Sequence, residues 1–221
     1  IMMSEKSEAK PVSFLEDCAV ELKDLAEYTD KLTAIFDRNG VKGTWYAHAS
    51  VGCLHVRPVL NMKQVGGAET MRAIAEEAFE LVRSFGGSHS GEHGDGIVRS
   101  EFNDRMFGPV LPDLFRQVKA MFDPQGMFNP GKITDAPKMD DRELFRFAPG
   151  YEAEDFDSVL DWAAWPGAAG GFQGAVEMCN NNGACRKSTG GVMCPSFRVT
   201  GDERDLTRGR ANTLRLALSG Q

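Results

Sequence analysis

The chain holds 221 residues, 42% of them hydrophobic, enough for one substantial core and an appendage. Its formal net charge of -7 argues against a nucleic-acid partner, because phosphate binding needs a clustered basic surface; an anionic substrate would need a locally basic pocket. No stretch reaches the ~18 uninterrupted apolar residues of a membrane span, and Ile1 to Lys10 lacks an apolar signal-peptide core, so the expectation is no transmembrane segment and a cytoplasmic location. The cysteines are odd in number: Cys18 and Cys53 stand alone, whereas Cys179, Cys185 and Cys194 lie close together. That usage points to reduced thiols or metal ligands rather than a disulfide framework.

Pro11 to Asp17 reads as a strand with Val12 and Phe14 alternating. Leu22, Leu25, Ala26, Leu32, Ile35 and Phe36 follow at helical spacing, with Asn39-Gly40 as the stop. Thr44 to Val59 is rich in aromatic and branched residues and is broken near Val51-Gly52, which predicts two antiparallel strands joined by a turn. A second amphipathic helix carries Met71, Ile74, Ala75, Ala78, Leu81, Val82 and Phe85 on one face and ends at Gly86-Gly87. The order βαββα is most of a split βαβ pattern. The expected fold class is therefore α+β, a ferredoxin-like antiparallel sheet with helices on one face, plus an irregular cysteine-containing C-terminal extension. The closing strand is not evident.

After the glycine-rich loop from Ser88 to Gly96, a third helix is indicated by Leu111, Leu114, Phe115, Val118, Met121 and Phe122, ended by Asp123-Pro124. The expected organisation is a globular domain over 11–133 and a connector over 134–174, rich in Pro, Gly, Ala and acidic residues. A segment over 175–221 then holds the cysteine cluster and a short basic helix near Ala211 to Leu218.

The four histidines fall in two short motifs. A turn centred on Val51-Gly52 pairs residues whose numbers sum to 103, which sets His48 directly opposite His55 on one face of the hairpin, close enough for two imidazoles to share a metal ion. The plainer reading is two hydrogen-bonded strand histidines. His89 and His93 lie in Gly87-Ser88-His89-Ser90-Gly91-Glu92-His93-Gly94-Asp95-Gly96, whose glycines let the backbone turn sharply and gather polar side chains; the plainer reading here is a surface turn. A carboxylate from this loop, Glu92 or Asp95, would complete a set of two histidines and one carboxylate. Such a set leaves an open coordination position, as a catalytic metal requires.

Several motifs in order resemble the C-terminal domain of FAD-linked oxidases of the vanillyl-alcohol oxidase type: Pro11-Val12-Ser13-Phe14, His48 through Pro58, Ser90 through Ser100, Phe128-Asn129-Pro130-Gly131-Lys132, Met193-Cys194-Pro195-Ser196 and Thr207-Arg208-Gly209-Arg210. Within that family the chain is most similar to D-2-hydroxyglutarate or D-lactate dehydrogenases fused to an iron-sulfur domain. The resemblance implies that 11–133 is the substrate-facing cap domain and that His48, His55 and Glu92 bind a divalent metal, commonly zinc. It further implies that His93 is the active-site base, with His89 supporting, and that Asn129 and Lys132 lie close to the flavin. Arg57, two residues after His55 and so on the same face, offers a bidentate grip on a substrate carboxylate. Related zinc-dependent members more often have Asn at this position, and Gly-Asp-Gly-Asn where this chain has Ser50-Val51-Gly52-Cys53. Cys53 reads as a packed small residue.

The expected function is oxidation of a D-2-hydroxy acid to the 2-oxo acid, with hydride to FAD and electrons onward to a [4Fe-4S] cluster in a downstream iron-sulfur domain. Cys179, Cys185 and Cys194 follow C-x5-C-x8-C-P; a Cys before Pro often serves a neighbouring cluster, and three thiolates fall short of four. The resemblance places an FAD-binding domain upstream, so the chain reads as part of a larger enzyme and is expected to lack turnover alone. Two other classes remain: a non-catalytic metal-binding or electron-transfer module, and a zinc hydrolase, against which the Asn129 to Lys132 motif argues.

Overall fold

The two long apolar periodicities become two long helices because each can bury its stripe on the same sheet face. The computed structural model describes residues 6–154, 157–165, 170–191 and 193–220. The first residues of the chain start and parts of the 134–174 connector fall outside that range. The elements are β1 (Lys10–Pro11), β2 (Cys18–Ala19), α1 (Leu25–Arg38), β3 (Gly43–His48), β4 (Cys53–Leu60), α2 (Val65–Ser84), α3 (Asn103–Phe107), α4 (Val110–Phe122), α5 (Gly171–Val176), α6 (Pro195–Thr200) and α7 (Thr207–Ser219). The chain divides into two compact units, Pro11–Pro149 and Gly150–Gln221 with Ile1–Lys10.

The first unit is α+β. Strand β4 is central: β3 runs antiparallel along one edge, and β2, with the Val12 amide donated to the Pro58 carbonyl at 2.8 Å, lies along the other. The single strand expected over Pro11 to Asp17 is broken, because the backbone turns at Asp17, whose φ is 105°. Outside the named strands, Ala19 and Ser88 form an isolated antiparallel bridge. Leu54, Val56 and Leu60 of β4 share one core with Tyr28, Leu32, Ile35 and Phe36 of α1 and with Met71, Ile74, Ala75, Ala78, Phe79 and Val82 of α2. Since side chains alternate along a strand, His55 and Arg57 project from the opposite face.

The hairpin register differs from the expected one. The turn is a four-residue loop, with a 3-10 turn over Ala49–Val51 followed by Gly52 at φ 70°, so partners sum to 101: His48 faces Cys53 and Tyr46 faces His55. A Cβ at Gly52 would meet the Val20 carbonyl at 2.0 Å, so this close approach demands glycine. The shift in the sum is even, so both histidines keep their common face and become diagonal neighbours.

The packed unit runs beyond Ile133 to Pro149, since Met139 is buried in the core, Arg72 Nη2 lies 2.6 Å from Asp140 Oδ1, and Arg142 Nη1 donates to the Met62 carbonyl at 3.1 Å. Helix α4 forms where periodicity places it, but Leu111, Leu114, Val118, Met121 and Phe122 remain exposed, the last two at 78% and 81%.

In the second unit, Cys185, Cys194 and Leu206 form a small core with Phe197 packed on it, and the basic segment is helical as α7. Among the described residues no helix is long and apolar enough to cross a membrane.

The contrast between the two kinds of apolar residue is measurable. Ile74, fully buried, is expected to lose ~2–5 kcal/mol of unfolding free energy on substitution by Ala. Met121→Ala should change it by less than ~0.5 kcal/mol. Urea denaturation of this chain reads both.

Candidate active site

The face of β4 opposite the helices carries Cys53, His55 and Arg57, and the neighbouring β3 adds Tyr46 and His48. The loop after α2 folds over this face, led by the Ser88 bridge to Ala19 and by the Gly91 amide donated to the Asp17 carbonyl at 2.8 Å. Gly91 is tightly seated: a Cβ there would lie 3.1 Å from the Asp17 carbonyl and 3.3 Å from Cys53 Sγ. Small side chains on the sheet and a glycine in the loop thus let Glu92 reach the histidines.

Both imidazoles meet the same carboxylate oxygen. Glu92 Oε1 lies 3.2 Å from His48 Nε2 and 2.9 Å from His55 Nε2, and the two rings stand edge to face with centroids 5.0 Å apart. Ligand atoms about 2 Å from a tetrahedral ion sit ~3.3 Å from one another, so these separations match the edges of a zinc coordination tetrahedron. The surroundings are graded: His55 is 1% exposed, whereas His48 and Glu92 are 57% and 44% exposed, so one side of the trio is open to an incoming oxygen. The two separations from Glu92 suit the divalent metal that the resemblance implies, whereas the ligand atoms that all lie within 4.8 Å of one another are those of Asp17, His55, Glu92 and His93, a set that does not include His48. Asp95, the other carboxylate the loop offers, is turned away; its Oδ2 accepts from Asn103 Nδ2 at 3.0 Å and its Oδ1 lies 3.6 Å from His89 Nε2. His89 is itself buried against Phe79, and burial lowers its pKa, which keeps it neutral.

His93 stacks on His55 with centroids 4.8 Å apart and planes 15° from parallel, and Tyr46 stacks on the other side of His55 at 4.7 Å. The two nitrogens of His93 have different surroundings. Nε2 is 3.4 Å from Glu92 Oε1, on the side of the trio, and Nδ1 is 3.6 Å from Glu16 Oε1.

Glu16 and Asp17, adjacent and buried, lie beside the histidines and were not singled out by the sequence reading. Arg57 donates from Nε to Glu16 Oε2 at 2.7 Å and from Nη2 to Oε1 at 2.6 Å. Those hydrogen bonds hold the Glu16 carboxyl at a pKa of about 2 against the opposing effect of burial, and they raise that of Arg57 in turn. The bidentate edge that the sequence reading offers to a substrate is thus engaged by Glu16. Arg99 donates to the Glu16 and Gly94 carbonyls and closes the far side of a small cavity of about 290 Å³, lined also by Ser13, Glu16, His93 and Asp95. Asp17 accepts backbone amides of Glu92 and His93. The signal available for both was an acidic pair inside the otherwise apolar run from Phe14 to Val20, since a buried carboxylate must find donors. The Cys53 thiol faces Asp17 Oδ1 at 3.4 Å, and burial with that neighbouring charge pushes its pKa to about 12, so it stays a protonated packing group.

Asn129 and Lys132 lie in a second groove of about 620 Å³ with Phe115, Val118, Phe122 and Phe128. Lys132 Nζ donates to Asn129 Oδ1 at 3.2 Å, and the Asp123 carboxylate fixes the approach by accepting the Met127 and Phe128 amides at 2.9 Å each. Apolar rings with one amide and one ammonium suit the flat apolar body and polar edge of a flavin.

Of the tail cysteines, Cys185 and Cys194 share the small core of the second unit. Among the described residues the convergent set of ligand atoms, all within 4.8 Å, is Asp17, His55, Glu92 and His93, and it includes no cysteine. Cys194, at the N-terminus of α6, has its thiol pKa lowered by the Phe197 amide, and its Sγ lies 3.2 Å from the Asp205 carbonyl. Cys179 Sγ instead lies 3.7 Å from Asn181 Oδ1.

The chain is 35% identical over 220 residues to the D-2-hydroxyglutarate dehydrogenase of Pseudomonas putida, covering 98% of this chain and 21% of that protein. It is also 35% identical over 216 residues to the enzyme of the same name from Escherichia coli, covering 95% and 20%. The D-lactate dehydrogenase of Archaeoglobus fulgidus is 30% identical over 132 residues, 60% of this chain and 29% of that protein. The chain thus spans about a fifth of the length of the D-2-hydroxyglutarate dehydrogenases it matches. Residues 2–133 match the family model described as FAD linked oxidases, C-terminal domain, and the chain belongs to that family.

Proposed function

We propose that this chain is the substrate-holding part of an FAD-dependent dehydrogenase that oxidises a D-2-hydroxy acid, of the 2-hydroxyglutarate or lactate type, to the 2-oxo acid. The observation that carries the proposal is the convergence of His48 and His55 on one oxygen of Glu92, with His93 stacked alongside. The names of the relatives support the substrate class. An upstream FAD-binding domain and a downstream iron-sulfur domain are the partners this reading requires, the latter supported by the cysteine spacing alone. The sheet is read as ferredoxin-like, with its closing strand shrunk to the Ala19–Ser88 bridge.

His48, His55 and Glu92 would hold the metal, and Asn129 and Lys132 would contact the flavin. When bound, zinc supplies a Lewis acid for the hydroxyl and carboxylate oxygens of the substrate, and FAD supplies the hydride acceptor. His93 takes the hydroxyl proton at Nε2, the nitrogen that faces the trio. Its Nδ1 faces Glu16, whose negative charge offsets the positive charge the ring gains. Arg57 acts as a strut that keeps Glu16 ionised beneath the ring, and it would grip a substrate carboxylate only by exchanging Glu16 for it.

Three outcomes follow. His55→Ala or Glu92→Gln should weaken zinc binding to this chain by more than the ~10- to 100-fold typical of losing a merely supporting partner, read by competition with a chromophoric chelator. In the flavin-bearing enzyme, His93→Gln should lower turnover of D-2-hydroxyglutarate or D-lactate by ~10²- to 10⁴-fold with zinc content retained, and unchanged turnover would remove His93 from the role of base. Glu16 has a folded-state pKa lowered from 4.5 to about 2, so its pairing with Arg57 stabilises the fold fully above pH 4.5 and is lost as pH falls towards 2. Denaturation midpoints of Glu16→Gln measured across that window should show a shallower acid slope than the unmodified chain.

A further inference from the structure

Asp17 lies among the convergent ligand atoms, yet its oxygens are already occupied. Glu92 donates its backbone amide to Oδ1 and Oδ2 at 2.9 and 2.8 Å, and His93 donates its amide to Oδ2 at 2.7 Å. The residue is fully buried, with Cys53 Sγ at 3.4 Å, Ser90 Oγ at 3.5 Å and Arg99 Nη2 at 3.9 Å around the carboxylate. Its backbone faces both ways: the Asp17 amide donates to the Leu54 carbonyl of β4 at 2.9 Å, and the Asp17 carbonyl accepts from Gly91 at 2.8 Å. One residue thus joins the strand that carries His55 to the loop that carries Glu92 and His93.

The backbone at Asp17 is costly for a residue with a side chain. A φ of 105° outside glycine is strained by ~1–3 kcal/mol and persists only where the surroundings enforce it. Glycine would relieve the strain; aspartate keeps it and gains three charge-assisted contacts to two consecutive amides. In this glycine-rich loop, those contacts fix where the Glu92 and His93 side chains start.

We propose that Asp17 is a positioning residue that locks the Glu92–His93 dipeptide onto β4, so that the carboxylate ligand and the base are preorganised on one rigid element. The zinc arm of its test rests on the metal reading above, and the amide arm does not. Asp17→Gly removes the carboxylate and the backbone strain together, so its stability should stay near that of the unmodified chain. Its zinc affinity should fall ~10- to 100-fold, the usual cost of losing an outer support. Asp17→Asn keeps an oxygen for both amides and tolerates positive φ, so it should recover most of that loss, to within about tenfold of the unmodified chain.

Amide hydrogen exchange in the unmodified chain requires no variant: Glu92 and His93 should be protected well beyond Gly94, and in Asp17→Gly that protection should disappear while core amides of α2 keep theirs. Normal zinc affinity in Asp17→Gly, with His55→Ala still impaired, would overturn the positioning role and leave the metal site standing. If neither the unmodified chain nor His55→Ala binds zinc, the metal reading fails, and fast exchange of the Glu92 and His93 amides in the unmodified chain would then reject Asp17 as well.

Discussion

The alternation of side chains along β4 is the constraint on which the rest depends. Leu54, Val56 and Leu60 face α1 and α2, with which they share one core. Cys53, His55 and Arg57 are thereby committed to the other face, whatever their chemistry. A strand buried on both sides holds its side chains in few rotamers, and His55, at 1% exposure, gains a fixed direction from the core behind it. The exposed His48 and Glu92 then need only approach a ligand atom that is already placed.

Glu16 and Asp17 show how two adjacent carboxylates take opposite tasks. Glu16 meets a guanidinium and faces the ring of His93, so it acts through charge. Asp17 meets backbone amides, so it acts through geometry. The turn at Asp17 is what makes this possible: consecutive residues of an extended strand would point to opposite sides of the sheet, and the positive φ brings both carboxylates to the side of the histidines. The broken strand from Pro11 to Ala19 is therefore part of the site, and a continuous β-strand in its place would send one carboxylate into the apolar core.

Much of this was legible in the sequence where periodicity and buried area act together. The spacing of Leu32, Ile35 and Phe36, and of Met71, Ile74, Ala78 and Val82, marks α1 and α2 because their faces repeat over several turns. The common face of His48 and His55 survived an error in register, because a shift of two in the pairing sum preserves parity. The register itself was not legible: Ala49 to Gly52 holds no turn signature that separates a two-residue loop from a four-residue one, and the choice is made by Gly52 meeting Val20 across the sheet. Glu16 and Asp17 escaped for a related reason. Their partners Arg57, Glu92 and His93 lie 41 to 76 residues away, and local pattern carries no information at that range.

Helix α4 marks the limit of such reading from another side. Its amphipathic pattern is as clear as those of α1 and α2, but periodicity reports that a face is suited to burial, not what buries it. The same helix ends at Asp123, which ties down the Met127 and Phe128 amides and so sets the loop that carries Asn129 and Lys132. Phe115, Val118 and Phe122 of the helix and Phe128, Asn129 and Lys132 of the loop line one groove, so apolar stripe and polar edge are parts of a single built surface. A domain that covered the stripe would necessarily bring its own groups against Asn129 and Lys132. On the function proposed here, the exposed helix and the flavin-facing motif are therefore one requirement, met by one partner.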